Sequence, residues 1–155
     1  MRLHLLAIGR KMPDWVAQGF RTYAERMPKE MPLLLRELSS GDRGKGANPA
    51  RARDVEAERL LQALPQPGRV VCLDQRGRQQ TTEALAERLS DWRQDGRDVA
   101  FIVGGPDGLA RPCLDRADES WSLSRLTLPH MLVRVLLAEQ LYRGSTILAG
   151  HPYHR

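Results

Sequence analysis

The sequence is short of cysteine: Cys72 and Cys113 are the only two in 155 residues. They have no metal-site spacing and make no oxidising framework. Buried thiols among apolar neighbours and a reducing compartment, the cytoplasm, are the expectation. Long apolar runs are missing too. None approaches the roughly 20 residues needed to cross a bilayer, so no membrane partner is expected. The opening stretch MRLHLLAIGR has no small-residue cleavage site and is read as a first strand, not a leader. Internal repeats, linkers and low-complexity segments are absent, which points to one domain over residues 1–155.

The familiar catalytic signatures are also lacking. There is no GxSxG elbow for a Ser-His-Asp hydrolase, and no acidic pair in a glycosidase-like context. No His/Cys/Asp cluster has metal spacing, so no metal is expected. The turn GGPDG, residues 104–108, lacks both GxxxxGK[ST] and GxGxxG, and Pro106 removes a backbone donor that a phosphate cradle would use. These absences argue against a self-contained hydrolase, a metal centre and a nucleotide-phosphate site.

What is present is a chain 41% hydrophobic and 28% charged, with net charge +5 and a pI of about 9.8. That balance suits a polyanion partner. Apolar strands alternate with helical patterns. Strands are expected at 2–8, 32–38, 69–74, 98–105 and near 119–123. Val16, Phe20, Tyr23 and Met27 mark one face of a helix, with Pro13 at its first turn. Ala57, Leu60, Leu61 and Leu64 mark a second helix. A third, capped by Thr81, carries Leu85, Leu89 and Trp92. A short helix is expected near 111–118 and a last one over 130–148. Residues 39–50 read as the longest loop, and QRGRQQ (75–80) as a polar loop. Continuously apolar strands joined by helices predict an α/β fold whose mainly parallel sheet is covered on both faces. The last helix is apolar over much of its girth, so it is either central to the core or an oligomer interface, with a homodimer the favoured reading.

In such a sheet, ligands bind beyond the carboxyl ends of the strands. Three ends are chemically unusual: VCLDQRG after Leu73, GGPDG after Val103, and SLSRLTLPH after Trp121. The glycines let backbone approach a ligand, although a tight loop without a ligand would use the same residues. The third stretch can wall a pocket with leucines while offering backbone donors and acceptors. That suits a flat, uncharged heterocycle such as adenine. Among the histidines, His4 reads as structural, and His130 as a helix cap or a pocket residue. The tail GHPYHR is odd for a terminus. Tyr153 and His154 can stack on a base, and Arg155 can take a phosphate. A second basic element, RGKGANPARAR (43–53), carries four cations and no acid.

Taken together, KMPDW, RGK, LD after the third strand, GRDV with IVGGPDGL, SWSLSRLTLPH, VRVLLAEQLYR and HPYHR resemble the large-subunit rRNA pseudouridine N3-methyltransferases of the SPOUT superfamily. The resemblance covers the whole chain. It implies a SPOUT-type α/β fold with a C-terminal trefoil knot over about 70–155, and a homodimer that binds S-adenosylmethionine in the knot. The cofactor residues implied are Leu73, Gly104, Gly105, Leu123, Ser124, Arg125, Leu126, Thr127 and Leu128. The implied substrate is a pseudouridine in a stem-loop of 23S rRNA, presented by the assembled ribosome. The chain departs from the family pattern at GSTILAG (144–150), where bulkier residues are usual near Ser145.

An imide nitrogen is a poor nucleophile until its proton leaves, so alignment and assisted proton loss are the enzyme's tasks. His154 is the candidate base, since an imidazole ordinarily titrates near pH ~6.5; the alternative is that it only hydrogen-bonds the substrate while water or hydroxide removes the proton. Tyr153 would hold the base, Arg155 the RNA backbone, with Arg134 as a further contact. A non-catalytic ribosome-binding protein and a tRNA methyltransferase of the same superfamily are the rival readings.

Overall fold

In the computed structural model, which describes residues 1–155, strands and helices alternate along the chain. The strands are β1 (Leu3–Ile8), β2 (Leu33–Leu38), β3 (Gly68–Gln79), β4 (Asp98–Val103) and β5 (Glu119–Ser122). The helices are α1 (Asp14–Ala24), α2 (Pro49–Gln62), α3 (Thr82–Asp95), α4 (Arg111–Arg116) and α5 (His130–Leu148), followed by a short 3-10 turn over Pro152–His154. Local chemistry sets several of these boundaries. Asn48 caps α2 by accepting from the Ala50 amide at 3.0 Å, with Pro49 in the first helical position. Thr81 caps α3 by accepting from the Ala84 amide at 3.1 Å.

All strand pairs are parallel, in the order β2-β1-β4-β3-β5. Parallel neighbours need crossovers, and the helices that make them cover both faces. Along β1, Leu3, Leu5 and Ala7 join one core with Phe20, Leu89, Trp92, Leu137 and Leu141, the side of α1, α3 and α5. Leu6 and Ile8 join the other, with Leu60, Leu64 and Cys113 from the α2 and α4 side. Burial on both faces is why this strand reads as a continuous apolar run. Trp92 of α3 stacks on Trp121 of β5 at 5.6 Å and meets Phe101 of β4 edge-on at 5.9 Å. This trio ties α3 to the strand ends that carry the site.

Two elements differ from the sequence reading. QRGRQQ is not a loop: residues 75–79 are the far part of β3. The register shifts there, so that Leu73 and Arg78 both pair with Trp121 and the residues between them bulge. Gly77 allows the close approach, because a Cβ there would lie 2.5 Å from the Trp121 carbonyl carbon. The segment runs past the buried layers, which is why its side chains are polar. Helix α1 also stops at Ala24, so Met27 is buried from the following turn and not from the helix.

Helix α5 packs against both α1 and α3, which explains its apolar girth. Gly19 of α1 faces Val135, and Gly144 of α5 faces α3. A Cβ on Gly144 would lie 2.7 Å from Leu85 and 2.9 Å from Leu89. At the neighbouring position Ser145 is buried and donates its hydroxyl to the Tyr142 carbonyl at 2.7 Å. The departure from the family pattern at GSTILAG therefore coincides with a close helix–helix contact.

Candidate cofactor site

A cavity of about 800 Å³ opens beyond the carboxyl ends of β4 and β5 and beside the bulge of β3. That volume is in the range of small-molecule sites. Leu73 and Asp74 enter from β3, Val103 and the glycine turn from β4, and Trp121 and Ser122 from β5. The segment 123–130 closes it, with Val133 of α5 behind. The glycine turn is folded back on itself. The Gly108 amide donates to the Gly105 carbonyl at 3.0 Å, and Gly108 has φ +77°. A Cβ on Gly104 would lie 2.5 Å from the Gly108 carbonyl carbon, so only glycine lets these backbones touch. Across the cavity, Ser122 donates to the Ser124 carbonyl and the Leu126 amide donates to Ser124 Oγ, both at 2.9 Å. These short local bonds shape the leucine-rich wall.

Of the nine expected cofactor residues, the structure brings eight to the cavity wall: Leu73, Gly104, Gly105, Leu123, Ser124, Leu126, Thr127 and Leu128. Arg125 is exposed and lies outside the lining. Sequence reasoning did not single out Asp74, Arg76 and Asp107, which also line the cavity. Asp74 follows Leu73 in the LD pair, and Asp107 is the acid of GGPDG; both stand at strand ends already flagged. His130, left between cap and pocket, proves to be a pocket residue and makes no side-chain cap. Burial, then the charges of Arg134 and Arg43, lower its pKa below the ordinary 6.5, so the ring is neutral at physiological pH.

The cavity suits a ligand of mixed character. Leu73, Leu123, Leu128 and Val133 give it apolar wall, while the loops supply backbone amides and carbonyls. The carboxylate of Asp74 complements positive charge, while that of Asp107 is paired with Arg43. S-adenosylmethionine joins an adenine to sulfonium and ammonium cations, so the residues present fit it.

The tail is elsewhere. The Tyr153 hydroxyl donates to Glu139 Oε1 at 3.3 Å, its ring centre is 4.8 Å from that of Tyr142, and the Arg143 guanidinium lies 4.8 Å over the same ring. Burial, then Glu139, raises the Tyr153 pKa, which keeps the phenol protonated. His154 Nδ1 lies 2.7 Å from the His151 carbonyl oxygen. A carbonyl only accepts, so Nδ1 is the donor here, and in the neutral ring the lone pair is on Nε2. Arg155 is exposed. The residues of α5 that hold the tail, Glu139 and Arg143, stand roughly 14–20 Å along the helix from His130 at 1.5 Å per residue. One chain thus keeps the expected cofactor residues and the expected catalytic residues at opposite ends of α5.

Two basic features change meaning. The side chain of Arg134 is wholly buried: Nη1 donates to Glu37 at 2.7 Å, and Nη2 to the Ile8 and Gly9 carbonyls at 3.2 and 2.9 Å. It braces the end of β1 and has no surface to offer RNA, contrary to the sequence reading. The stretch 43–53 is not one basic loop, because α2 begins at Pro49. Cys72 and Cys113 are buried free thiols, and burial pushes their pKa values to about 12 and about 11. No helix is long and apolar enough to cross a membrane, and no group of His, Cys, Asp and Glu side chains is placed to hold a metal ion.

Comparison with known proteins agrees with this geometry. A family model described as predicted SPOUT methyltransferase matches residues 1–154. The ribosomal RNA large subunit methyltransferase H of Alkalilimnicola ehrlichii is 56% identical over 155 residues, covering 100% of this chain and 99% of that protein. The protein of the same name from Hahella chejuensis is 53% identical over the same shares. With its parallel sheet, its cavity at the strand ends and a match over nearly its whole length, this chain belongs to the SPOUT methyltransferase family.

Proposed function

We propose that this protein methylates N3 of a pseudouridine in 23S rRNA, using S-adenosylmethionine and acting as a homodimer on assembled ribosomes in the cytoplasm. The observation that carries the reading is the cavity at the ends of β4 and β5 and the bulge of β3, walled by eight of the nine residues expected to hold the cofactor. The names of the two relatives support the ribosomal substrate. The trefoil knot belongs to the same proposal, since the cavity walls come from residues 73–133, inside the region assigned to it.

When bound, S-adenosylmethionine supplies an activated methyl group on a sulfonium. The chain's own residues do the rest. Leu73, Leu123 and Leu128 hold the adenine and exclude water, and the turn 104–108 presents backbone to the ligand. Asp74 would face its cationic groups. The His154 Nε2 lone pair takes the N3 proton of the pseudouridine, while Tyr153 and Arg155 hold base and backbone. Because tail and cavity stand at opposite ends of α5, the tail serves the cavity of the partner protomer. Leu136, 36% exposed on α5, supports a second copy packed along this helix.

The test uses ribosomes that carry the unmethylated pseudouridine, with the product mapped by mass spectrometry of the rRNA. One methyl group at that base supports the reading, and none overturns it. Mixing inactive Gly105→Trp with inactive His154→Ala tests the shared site. Half the dimers would be mixed and each would hold one intact site, so about a quarter of wild-type activity should return. Sites built within single chains would return none.

A further inference from the structure

Arg43 and Asp107 come from distant parts of the chain and meet beside the cavity. Asp107 is the acid of the glycine turn and lines the wall. The Arg43 guanidinium, on the segment before α2, donates to Asp107 Oδ2 through Nη1. Its other edge is already occupied. Nε and Nη2 donate to the Glu56 carboxylate at 3.2, 2.8 and 2.9 Å. Glu56 of α2 is only 1% exposed. An acid that deep must be paired, and besides Arg43 it accepts from the Gly41 amide at 3.0 Å. The carboxylate also lies directly behind the turn, since a Cβ on Gly105 would be 3.3 Å from Oε2. Gly41 packs on α2 so closely that a Cβ would lie 2.5 Å from the Ala52 backbone.

The segment is thus pinned to α2, and Arg43 reaches from it onto the turn. An isolated surface ion pair contributes little, because two long side chains must be ordered to form it. Here the ordering is done by a buried partner. Burial works against the charge on Arg43, but its bonds to Asp107 and Glu56 outweigh that and raise its pKa. A planar guanidinium held along one edge presents the remaining donor in a fixed direction.

We propose that Glu56 and Arg43 are positioning residues for the cofactor turn: Glu56 fixes the guanidinium, and Arg43 holds Asp107 and with it residues 104–108 in the shape that faces the cavity. This rests on reading the cavity as the S-adenosylmethionine site. Neither residue reaches the reacting atoms, so their effect falls on cofactor affinity more than on methyl transfer. The turn is held ready before the ligand arrives, and less ordering is left for binding to supply.

The test uses the full chain as wild type, Arg43→Ala, Arg43→Lys, Asp107→Ala, Glu56→Gln and the Arg43→Ala/Asp107→Ala double variant. Amide exchange of residues 104–108 in the free protein needs no ligand, and Arg43→Ala should speed it while β1 and β4 stay protected. Calorimetric affinity for S-adenosylmethionine should fall about tenfold in Arg43→Ala. The KM for the cofactor should rise likewise, with kcat at saturation changed less than about twofold. Arg43→Lys should recover part of the loss. Adding Asp107→Ala to Arg43→Ala should cost little more, since both cut one tie. If Arg43→Ala fails to fold, Glu56→Gln carries the same readouts with a smaller effect. Unchanged exchange in the turn, or fully additive losses, would overturn the proposal. Failure of the wild type to bind S-adenosylmethionine would instead remove the reading of the cavity, and the exchange data would still judge the clamp.

Discussion

Alanine at Gly104 is the sharpest perturbation of the site. The added Cβ would lie 2.5 Å from both the carbonyl carbon and oxygen of Gly108 and 2.9 Å from the Leu109 amide nitrogen. Ordinary carbon contacts are about 3.5–4.0 Å, so roughly 1 Å must be found. The obstructing atoms are backbone, so no rotamer change relieves them and the turn must open. Forced overpacking of this kind costs about 1–3 kcal/mol. In a chain of this length each kcal/mol moves Tm by roughly 2–4 °C, so a fall of about 4–8 °C is expected for 2 kcal/mol. The opened turn should also lose S-adenosylmethionine affinity by at least about tenfold. Gly105→Ala is the control. Its nearest neighbours are side-chain atoms, Ile8 Cγ2 at 3.2 Å and the Glu56 oxygens at 3.3 and 3.4 Å, which need give by only tenths of an ångström. Neither glycine has positive φ, so the pair compares sterics alone. Gly108→Ala adds the complement: φ is +77° with open space around it, so its cost is conformational, about 1 kcal/mol. The measurements are thermal unfolding and calorimetric titration of all three variants. Wild-type melting and binding in Gly104→Ala, or a larger loss in Gly105→Ala, would refute the reasoning.

Other outcomes follow from the same structure. Cys72 and Cys113 should resist thiol reagents in the native protein at pH 8, because burial holds their pKa values at about 12 and about 11; labelling should appear only with denaturant, and rapid native labelling would contradict their burial. Trp92→Ala removes the side chain that joins α3 to Phe101 and Trp121 and should cost about 3–5 kcal/mol in urea unfolding. A loss below about 1 kcal/mol would mean the trio does not hold the site's strand ends. His130 has a folded pKa below its ordinary 6.5, through burial and then Arg134 and Arg43. The unfolded chain binds its proton more readily, so this contribution is complete above pH 6.5 and is lost as pH falls through the folded value. His130→Gln should flatten the acid-side decline of stability, and a profile parallel to wild type would remove His130 as a contributor.

Much of this was legible because the physics involved was local or periodic. LHLLAI and VAFIV read as buried parallel strands since both faces of each are covered, and Thr81 announced α3 through its cap. The three strand ends were legible as a site from their glycines and leucines. What escaped depended on distance in the chain. The far part of β3 looked like a loop, because its side chains stay in solvent while its backbone pairs through a bulge with β5. Arg134 read as a further RNA contact, and its partners at Glu37, Ile8 and Gly9 come from β2, β1 and the residue after β1, far upstream. Glu56 gave no signal at all on its helix, since burial and the pairing to Arg43 arise only when α2 packs behind the turn. The separation of tail and cavity was equally hidden, being a property of the length and direction of α5.

The position of β1 has a consequence for how the molecule is made. Its neighbours are β2 and β4, with Leu3 paired to Leu33 on one side and to Val99 on the other. On a translating ribosome the first partner is available early, and the second only after two-thirds of the chain has emerged. Until then β1 has one open edge, a template for unwanted pairing. Long-range parallel pairings are also slow to form. The walls contributed by residues 103–130 come later still. A half-synthesised chain therefore has a partial sheet but no cavity, and ligand binding becomes a signature that the chain has been made and folded past Val133.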